Sequence, residues 1–202
     1  MKYTIILFLT TLVFGCQAQD SLVIREDLEL MMDDFLAHEE MKLGSFIGMP
    51  SPVFTKTDID GVEHWLELYQ GKVVVLFFWN SYDERCLEQL ASINQIVKDH
   101  KQNEVIVLSF IDDKPAEITE YISRFMQSDP PLFPIIADSY TFSRKTFGDA
   151  IQLPKVFVLD KLHYVQMAFS NANQNKPMEV YDKVKPIIED LLKMWACCHF
   201  FT

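Results

Sequence analysis

Positive charge, glycine and cysteine are all scarce in this sequence. Its 202 residues include 18 Lys and Arg against 29 Asp and Glu, which gives a formal net charge of −11. A nucleic-acid partner is not expected, because no basic surface is available to displace the counterions of a phosphate backbone. Only 6 residues are glycine while 49% are hydrophobic. This composition excludes collagen, disorder and a coiled coil, and it supplies enough apolar material for one full core.

The first fifteen residues have the pattern of a secretory signal. Lys2 supplies one positive charge, an apolar run of twelve residues follows, and Cys16 comes directly after Val-Phe-Gly. The run is too short to stay in a membrane as a spanning helix. The residues before Cys16 resemble the bacterial lipobox, which implies cleavage there and lipidation of Cys16. Gln17 then favours the outer over the inner membrane, and an ordinary signal peptide cut near Ala18 is the alternative.

The remaining cysteines do not form a disulfide framework. Export permits disulfides, but only Cys86, Cys197 and Cys198 would remain in the lipidated chain, which is an odd number with one adjacent pair. Metal binding by Cys197, Cys198 and His199 is disfavoured because adjacent cysteines are poor simultaneous ligands of a tetrahedral ion. We expect no metal and no cofactor. The tail, residues 196–202, either packs behind the last helix or exposes a thiol pair.

Residues 16–44 are predicted to form an acidic helical linker. Apolar side chains recur there at i, i+3, i+4, i+7 and i+8, the spacing of one helix face: Leu28, Met31, Met32, Phe35 and Leu36. We expect this stripe to pack on the domain that follows, and a partner-docking helix is the alternative. The domain itself is predicted to span residues 45–195.

Strand-like and helical segments alternate through this domain. A hairpin is predicted at residues 55–61. A strand at 73–79 is followed by a helix at 81–100, and a second strand at 104–110 by a helix at 114–126. Residues 73–79 are apolar throughout, which is typical of a strand covered on both faces. Ser81 and Glu84 have the spacing of a capping box. The order strand, helix, strand, helix predicts a parallel unit with a right-handed crossover.

The rest of the domain is predicted to complete the sheet. The sequence favours a short extended element at residues 133–137 and a short helix at 139–147. An antiparallel hairpin follows at 155–169, with strands on either side of 160–161, and a final helix begins at 175. Leu87, Leu90, Ile93 and Val97 are expected to form the buried face of the helix over 81–100. Pro186 predicts a kink in the final helix. The fold class is therefore α/β, with a central mixed sheet flanked by helices.

The segment between the first buried strand and its helix carries the most specific pattern. It reads Phe78-Trp79-Asn80-Ser81-Tyr82-Asp83-Glu84-Arg85-Cys86. This resembles the thioredoxin superfamily, and within it the exported TlpA-like and redoxin (AhpC/TSA-like) thiol-disulfide oxidoreductases, whose segment runs Phe-Trp, two small residues and Trp-Cys-x-x-Cys. Leu153-Pro154, ahead of a strand that ends in Asp160, matches the proline element of the same family. The resemblance covers about residues 45–195 and implies a thioredoxin-like fold with an N-terminal hairpin and an extra N-terminal helix.

The catalytic positions depart from the family pattern. Asp83 stands in the place of the attacking cysteine, and a carboxylate cannot form the mixed disulfide that thiol exchange requires. The Asp83 side chain can instead accept hydrogen bonds from the first turn of the helix. Cys86 holds the place of the resolving cysteine, where we expect a buried thiol whose ionisation Asp83 opposes. Phe77 replaces the buried acid of thioredoxin, and peroxiredoxin chemistry is not expected because Asp83 replaces the required Thr.

The resemblance also implies a ligand groove. In the family the proline is cis, and the residue before it can pair with an extended peptide. We expect a groove for an extended polypeptide or an envelope protein formed by Trp79, Tyr82, Asp83, Leu153 and Pro154.

Two functions follow from these observations. The first is a lipid-anchored, periplasm-facing accessory module of the bacterial cell envelope that binds a protein without dithiol chemistry. The alternative is an active oxidoreductase that uses Cys86 with Cys197, with Cys198 or with an external thiol.

Overall fold

A computed structural model of the chain describes residues 31, 34, 41–148, 152–170 and 175–198. The chain divides into two compact units, Met1–Met41 and Lys42–Thr202. In the first unit, Met31, Asp34 and Met41 are helical and exposed to solvent. The other residues of the predicted apolar stripe, the signal segment and Cys16 lie outside the described residues.

The second unit is built on seven strands. In chain order they are β1 (Thr55–Thr57), β2 (Glu63–Trp65), β3 (Val73–Trp79), β4 (Val105–Ile111), β5 (Ile135–Ile136), β6 (Lys155–Leu159) and β7 (Val165–Ser170). β1 and β2 form an antiparallel hairpin, and the other five form one sheet in the order β5-β4-β3-β6-β7. β3, β4 and β5 are parallel to one another, whereas β6 is antiparallel to both of its neighbours, β3 and β7. The predicted mixed α/β sheet is confirmed.

Among the described residues, four α-helices follow β2 in the chain: α1 (Glu84–Asp99), α2 (Pro115–Phe125), α3 (Tyr140–Thr146) and α4 (Glu179–Cys198). A 3-10 helix, Leu66–Tyr69, lies between β2 and β3. Across the described ranges, no helix combines the length and apolarity that crossing a membrane requires. Pro186 lies inside α4, and the kink stays a prediction.

The predicted capping box at the start of α1 is wrong. The N-cap is Asp83, and the Ser81 backbone N–H and hydroxyl both donate to the carboxylate of Asp113 instead. Asn80 Oδ1 accepts the backbone N–H of Asp83 at 2.8 Å. This contact holds the connection in a turn, and α1 begins only at Glu84.

The core is centred on β3. All seven of its residues are at most 1% exposed, as the continuous apolar run predicted. On one face, Phe78 packs against Phe110 and Phe147, with ring centroids 4.9 and 5.1 Å apart. Phe77 and Trp79 project to the other face and stack on each other. Aromatic packing on both faces fixes the end of β3, and with it the start of α1.

The buried face of α1 differs from the predicted one. Of the four predicted apolar residues only Ile93 is fully buried, while Leu87, Leu90 and Val97 are partly buried. Gln89 and Ser92 are fully buried instead. The prediction counted apolar residues alone, but α1 packs against α4 as well as the sheet, and the contact with α4 is polar.

Gln89 and Ser92 hold the start of α4. Gln89 Nε2 donates to the carbonyl of Lys176 at 2.8 Å, and Gln89 Oε1 accepts the backbone N–H of Val180 at 3.0 Å. Ser92 Oγ donates to the carbonyl of Pro177 at 2.7 Å. The N–H of Val180 is one of the first N–H groups of α4, which have no partner within the helix. The bonds to the two carbonyls fix the chain that leads into the helix.

The substitution Gln89→Leu should therefore destabilise the fold. It leaves the buried backbone N–H of Val180 without a partner, whereas the Lys176 carbonyl still accepts the N–H of Glu179. A buried donor left unsatisfied costs about 1–3 kcal/mol, so we expect the free energy of unfolding in urea to fall by about 1–3 kcal/mol. Gln95→Leu is the matched control, since Gln95 bonds only to Asp99 on the surface, and its effect should stay within about 0.5 kcal/mol. Equal effects of the two substitutions would contradict this role of Gln89.

Candidate functional site

Three chain segments converge at one edge of the sheet. In the parallel pair Trp79 lies opposite Ile111, and in the antiparallel pair Phe78 lies opposite Lys155. The connection to α1, the loop after β4 and the Leu153-Pro154 segment therefore meet beside the carboxyl ends of β3 and β4. This is the edge at which α/β proteins usually bind ligands.

Asp83 is engaged by its own helix. Its Oδ1 accepts the backbone N–H of Arg85 at 3.0 Å, which confirms that Asp83 caps α1. The Arg85 guanidinium forms a two-point ion pair with the same carboxylate, through Nε to Oδ1 at 3.0 Å and Nη2 to Oδ2 at 2.6 Å. Both carboxylate oxygens are thus used in structural contacts, and bidentate pairing of this kind is among the stronger hydrogen-bonded contacts.

Cys86 is sealed beneath this cap. The residue is 0% exposed, as its position predicted. Burial raises the pKa of its thiol to about 12, the charges of Asp83 and Asp112 add to the rise, and the backbone N–H of Asn80 and the charge of Arg85 oppose it. At pH 7 fewer than roughly one molecule in 10⁴ would carry the thiolate. Because the thiolate is the reactive species of a cysteine, both the burial and the raised pKa of Cys86 disfavour its reaction.

Sequence analysis missed two aspartates at this edge. Asp112 and Asp113 directly follow β4, and the backbone N–H of Ser81 donates to Asp113 at 3.0 Å. Partial burial raises the pKa of Asp112; the positive charges of Arg144 and Lys155 oppose the rise, and Asp113 adds to it. Their place after a strand parallel to β3 is the signal that could have found them.

Tyr82 is the exposed member of the site. Tyr82 is 74% exposed, although it immediately precedes Asp83, the residue that caps α1. Partial burial and the charges of Asp112 and Asp113 raise the pKa of Tyr82, and the charge of Arg144 opposes the rise. On α3, the Arg144 guanidinium lies 4.3 Å from the ring centre of Tyr140, a half-exposed aromatic. The rim of the site thus combines aromatic rings with charges of both signs.

The predicted groove is less open than expected. Trp79 is 0% exposed and stacks on Phe77, so the expectation that it contacts a partner is wrong. Leu153 and Pro154 are also buried. The bond between them is cis, as the family resemblance implied. Within the described residues the N–H and C=O of Leu153 make no backbone hydrogen bond, and peptide pairing at Leu153 stays a prediction.

Lys155 is a second feature that the sequence analysis missed. It directly follows Pro154, is fully buried, and its Nζ donates to the carbonyls of Ser143 and Gly148 at 3.2 and 3.1 Å. These bonds tie the end of α3 to the first residue of β6. A lysine inside an otherwise apolar strand was the available signal, since buried lysines require partners.

The side chains of the two C-terminal cysteines are not among those that the structure describes. Cys197 and Cys198 end α4, and His199 lies outside the described part of the chain. Pairing of either thiol with Cys86 stays untested. In the ranges 41–148, 152–170 and 175–198, no group of three or more His, Cys, Asp or Glu residues is placed to hold a metal ion.

The fold and this edge define a thioredoxin-fold protein, and solved structures agree. The chain superposes on the exposed lipoprotein thioredoxin Etrx1 of Streptococcus pneumoniae with a TM-score of 0.52 and 20% identity, covering 65% of this chain and 99% of that one. It superposes on the thioredoxin domain of a Bacteroides vulgatus thiol-disulfide oxidoreductase with a TM-score of 0.56 and 14% identity, covering 70% and 97%.

Sequence comparison identifies the family. The AhpC/TSA family profile matches residues 47–168, and the chain belongs to this family. The thiol-disulfide oxidoreductase ResA of Bacillus thuringiensis subsp. konkukian is 27% identical over 149 residues, which cover 74% of this chain and 82% of that protein. ResA of Geobacillus kaustophilus is 25% identical over 142 residues, covering 69% and 79%. The predicted relation to redoxin-type thiol-disulfide oxidoreductases is confirmed.

Proposed function

We propose that this protein is a thioredoxin-fold binding module that does not exchange disulfides. The observation that carries the proposal is the joint state of Asp83 and Cys86. The Asp83 carboxylate is used by the helix cap and by Arg85, while Cys86 is fully buried with a raised thiol pKa. A dithiol cycle needs an exposed thiolate to attack and a second thiol to resolve the mixed disulfide. The first is replaced by Asp83, so the second, Cys86, lies buried beneath it with no mixed disulfide to resolve.

The proposed ligand is an extended polypeptide held at the rim of the site. Tyr82 offers a large exposed ring, and aromatic residues commonly supply most of the binding energy at such contacts. The neighbouring Asp112, Asp113 and Arg144 offer charged hydrogen-bonding groups. Leu153 is proposed to add backbone pairing, and a polypeptide segment supplies both side chains and backbone groups for these contacts.

We further propose that the protein is anchored in the bacterial cell envelope through a lipid on Cys16, facing the periplasm. The support is the signal pattern before Cys16. One structural neighbour, Etrx1, is itself described as an exposed lipoprotein.

Restoring the first thiol should restore exchange chemistry. We expect Asp83→Cys to reduce insulin in the presence of dithiothreitol at least about tenfold faster than the wild-type protein, because the helix start and Arg85 both stabilise a thiolate there. That thiolate attacks an insulin disulfide and forms a mixed disulfide. The Cys86 thiol then displaces the second insulin sulfur, and dithiothreitol reduces the resulting disulfide.

Two controls accompany this experiment. Asp83→Ser keeps a capping side chain without a thiol and should stay as slow as wild type. Asp83→Cys combined with Cys86→Ala should lose turnover. Wild-type activity equal to that of Asp83→Cys would overturn the proposal, and an inactive but folded Asp83→Cys would show that more than the nucleophile is missing.

The polypeptide site is tested separately from the redox chemistry. We expect Tyr82→Ala to weaken binding of reduced, carboxamidomethylated ribonuclease A, an unfolded probe without free thiols, by about 5–30-fold in fluorescence anisotropy. Tyr164→Ala is the matched control, since Tyr164 is a 41% exposed tyrosine beside β7. Equal binding by the wild-type protein and both variants would argue against the rim around Tyr82 as the site.

The lipid anchor has its own measurement. In bacteria fed an alkyne-tagged palmitate, the full-length protein should carry the tag and fractionate with membranes, whereas Cys16→Ser should do neither. Untagged wild-type protein released to the soluble periplasm would favour an ordinary signal peptide instead.

A further inference from the structure

A cavity of about 140 Å³ lies at the far end of α1 from Cys86. Residues of the last turns of α1, the beginning of β4 and the chain just before β5 line it. His100, which ends α1, is fourteen residues beyond Cys86, a distance of about 21 Å along a helix. The cavity is therefore separate from the site at the carboxyl edge of the sheet.

Pro134 explains why the pairing of β5 with β4 ends beside the cavity. β5 pairs with β4 only at Ser109–Ile135 and Phe110–Ile136, and the N–H of Ser109 donates to the carbonyl of Pro134. The next bond of a parallel ladder would join the carbonyl of Val107 to the N–H of residue 134. Proline has no N–H, so pairing stops there. Val107 and Phe133 then become walls of the cavity.

The lining is apolar with three polar side chains. Tyr69, His100 and Gln102 line the cavity, and none of its lining residues is Asp, Glu, Lys or Arg. His100 Nε2 is buried and has no hydrogen-bond partner among the described residues. Three other described side chains also have a buried polar atom without a partner, namely Trp79, Gln152 and His163, but of the four only His100 lines the cavity. A bound molecule with a hydrogen-bonding group is one physical explanation for such an atom beside a cavity.

Tyr69 is held in place from behind. Its hydroxyl lies 2.5 Å from His64 Nδ1, and His64 Nε2 lies 2.9 Å from the Asp58 carboxylate. Burial of Tyr69 and the charge of Asp58 raise the pKa of Tyr69, so its hydroxyl stays uncharged at neutral pH. The Tyr69 hydroxyl is thus held in place by His64 and is uncharged.

We propose that this cavity is a binding site for a small uncharged molecule with one aromatic ring and one hydroxyl or N–H group. Its volume matches such a ring, since an apolar cavity of about 150 Å³ accommodates benzene. The absence of charged side chains from the lining disfavours ions. The hydroxyl of a phenol can both donate and accept, so it satisfies His100 Nε2 in either tautomer.

Phenol and toluene are the probes, because they share a ring and differ in the hydroxyl. In ¹H–¹⁵N spectra of the full chain, we expect phenol to cause saturable shifts at the amides of Val107 and Phe133. Val97→Trp, which places an indole in the cavity, should weaken phenol binding at least tenfold. Val53→Trp, at a 72% exposed position outside the lining, should not.

His100→Leu tests the hydrogen bond to His100 separately from the packing of the ring in the cavity. It should weaken phenol binding by about 5–10-fold, as expected for the loss of one hydrogen bond, and leave toluene binding within about twofold. Spectral dispersion shows whether each variant is folded, and Ile106→Trp replaces Val97→Trp if that variant is not.

Three results would overturn the proposal. The first is the absence of saturable phenol shifts in the wild-type protein. The second is unchanged phenol binding in the folded cavity-filling variant, which would place the ligand elsewhere. The third is an equal loss of phenol and toluene binding in His100→Leu, which would remove the polar recognition.

Discussion

The pairing of the Asp83 carboxylate with the first turn of α1 is the contact on which this account depends. A helix start presents unpaired N–H groups and a partial positive charge, so an anion there is stabilised. In a thiol-disulfide oxidoreductase that anion is a cysteine thiolate. Here a carboxylate meets the same electrostatic demand and is further neutralised by Arg85. The helix keeps its stable start, but the group there cannot attack a sulfur atom.

The fold tolerates an aspartate in place of the family's cysteine because contacts away from residue 83 stabilise it. β3 is buried along its full length between two aromatic layers, and Gln89 and Ser92 fix α4 to the other side of α1. None of these contacts needs a thiol at either motif position. The family fold is therefore compatible with either aspartate or cysteine at residue 83, which is why fold alone does not establish function.

Periodicity and motif order predicted the parts of the structure governed by apolar burial. The strand over residues 73–79 and the hairpin before α4 lie where the sequence placed them. The capping box at Ser81 failed because a distant residue, Asp113, competes for the same side chain. Contacts of this kind depend on which strands become neighbours, and a sequence window does not contain that information.

The candidate site was predictable only in part, for the same reason. Asp83 and Cys86 follow from a local pattern, and the structure agrees with the capping and the burial expected of them. Asp112 joins the site through the pairing of β3 with β4, and Trp79 is excluded from the surface because both faces of β3 are covered.

The state of the Cys86 thiol tests the central claim most directly. The measurement is iodoacetamide labelling of the full chain from about pH 6 to about pH 9, with each labelled cysteine located by peptide mass spectrometry. We expect Cys86 to stay unlabelled in the native protein throughout this range and to be labelled once urea unfolds the chain. Rapid native labelling of Cys86 with a midpoint below its ordinary value of about 8.5 would contradict the account and indicate a working thiolate.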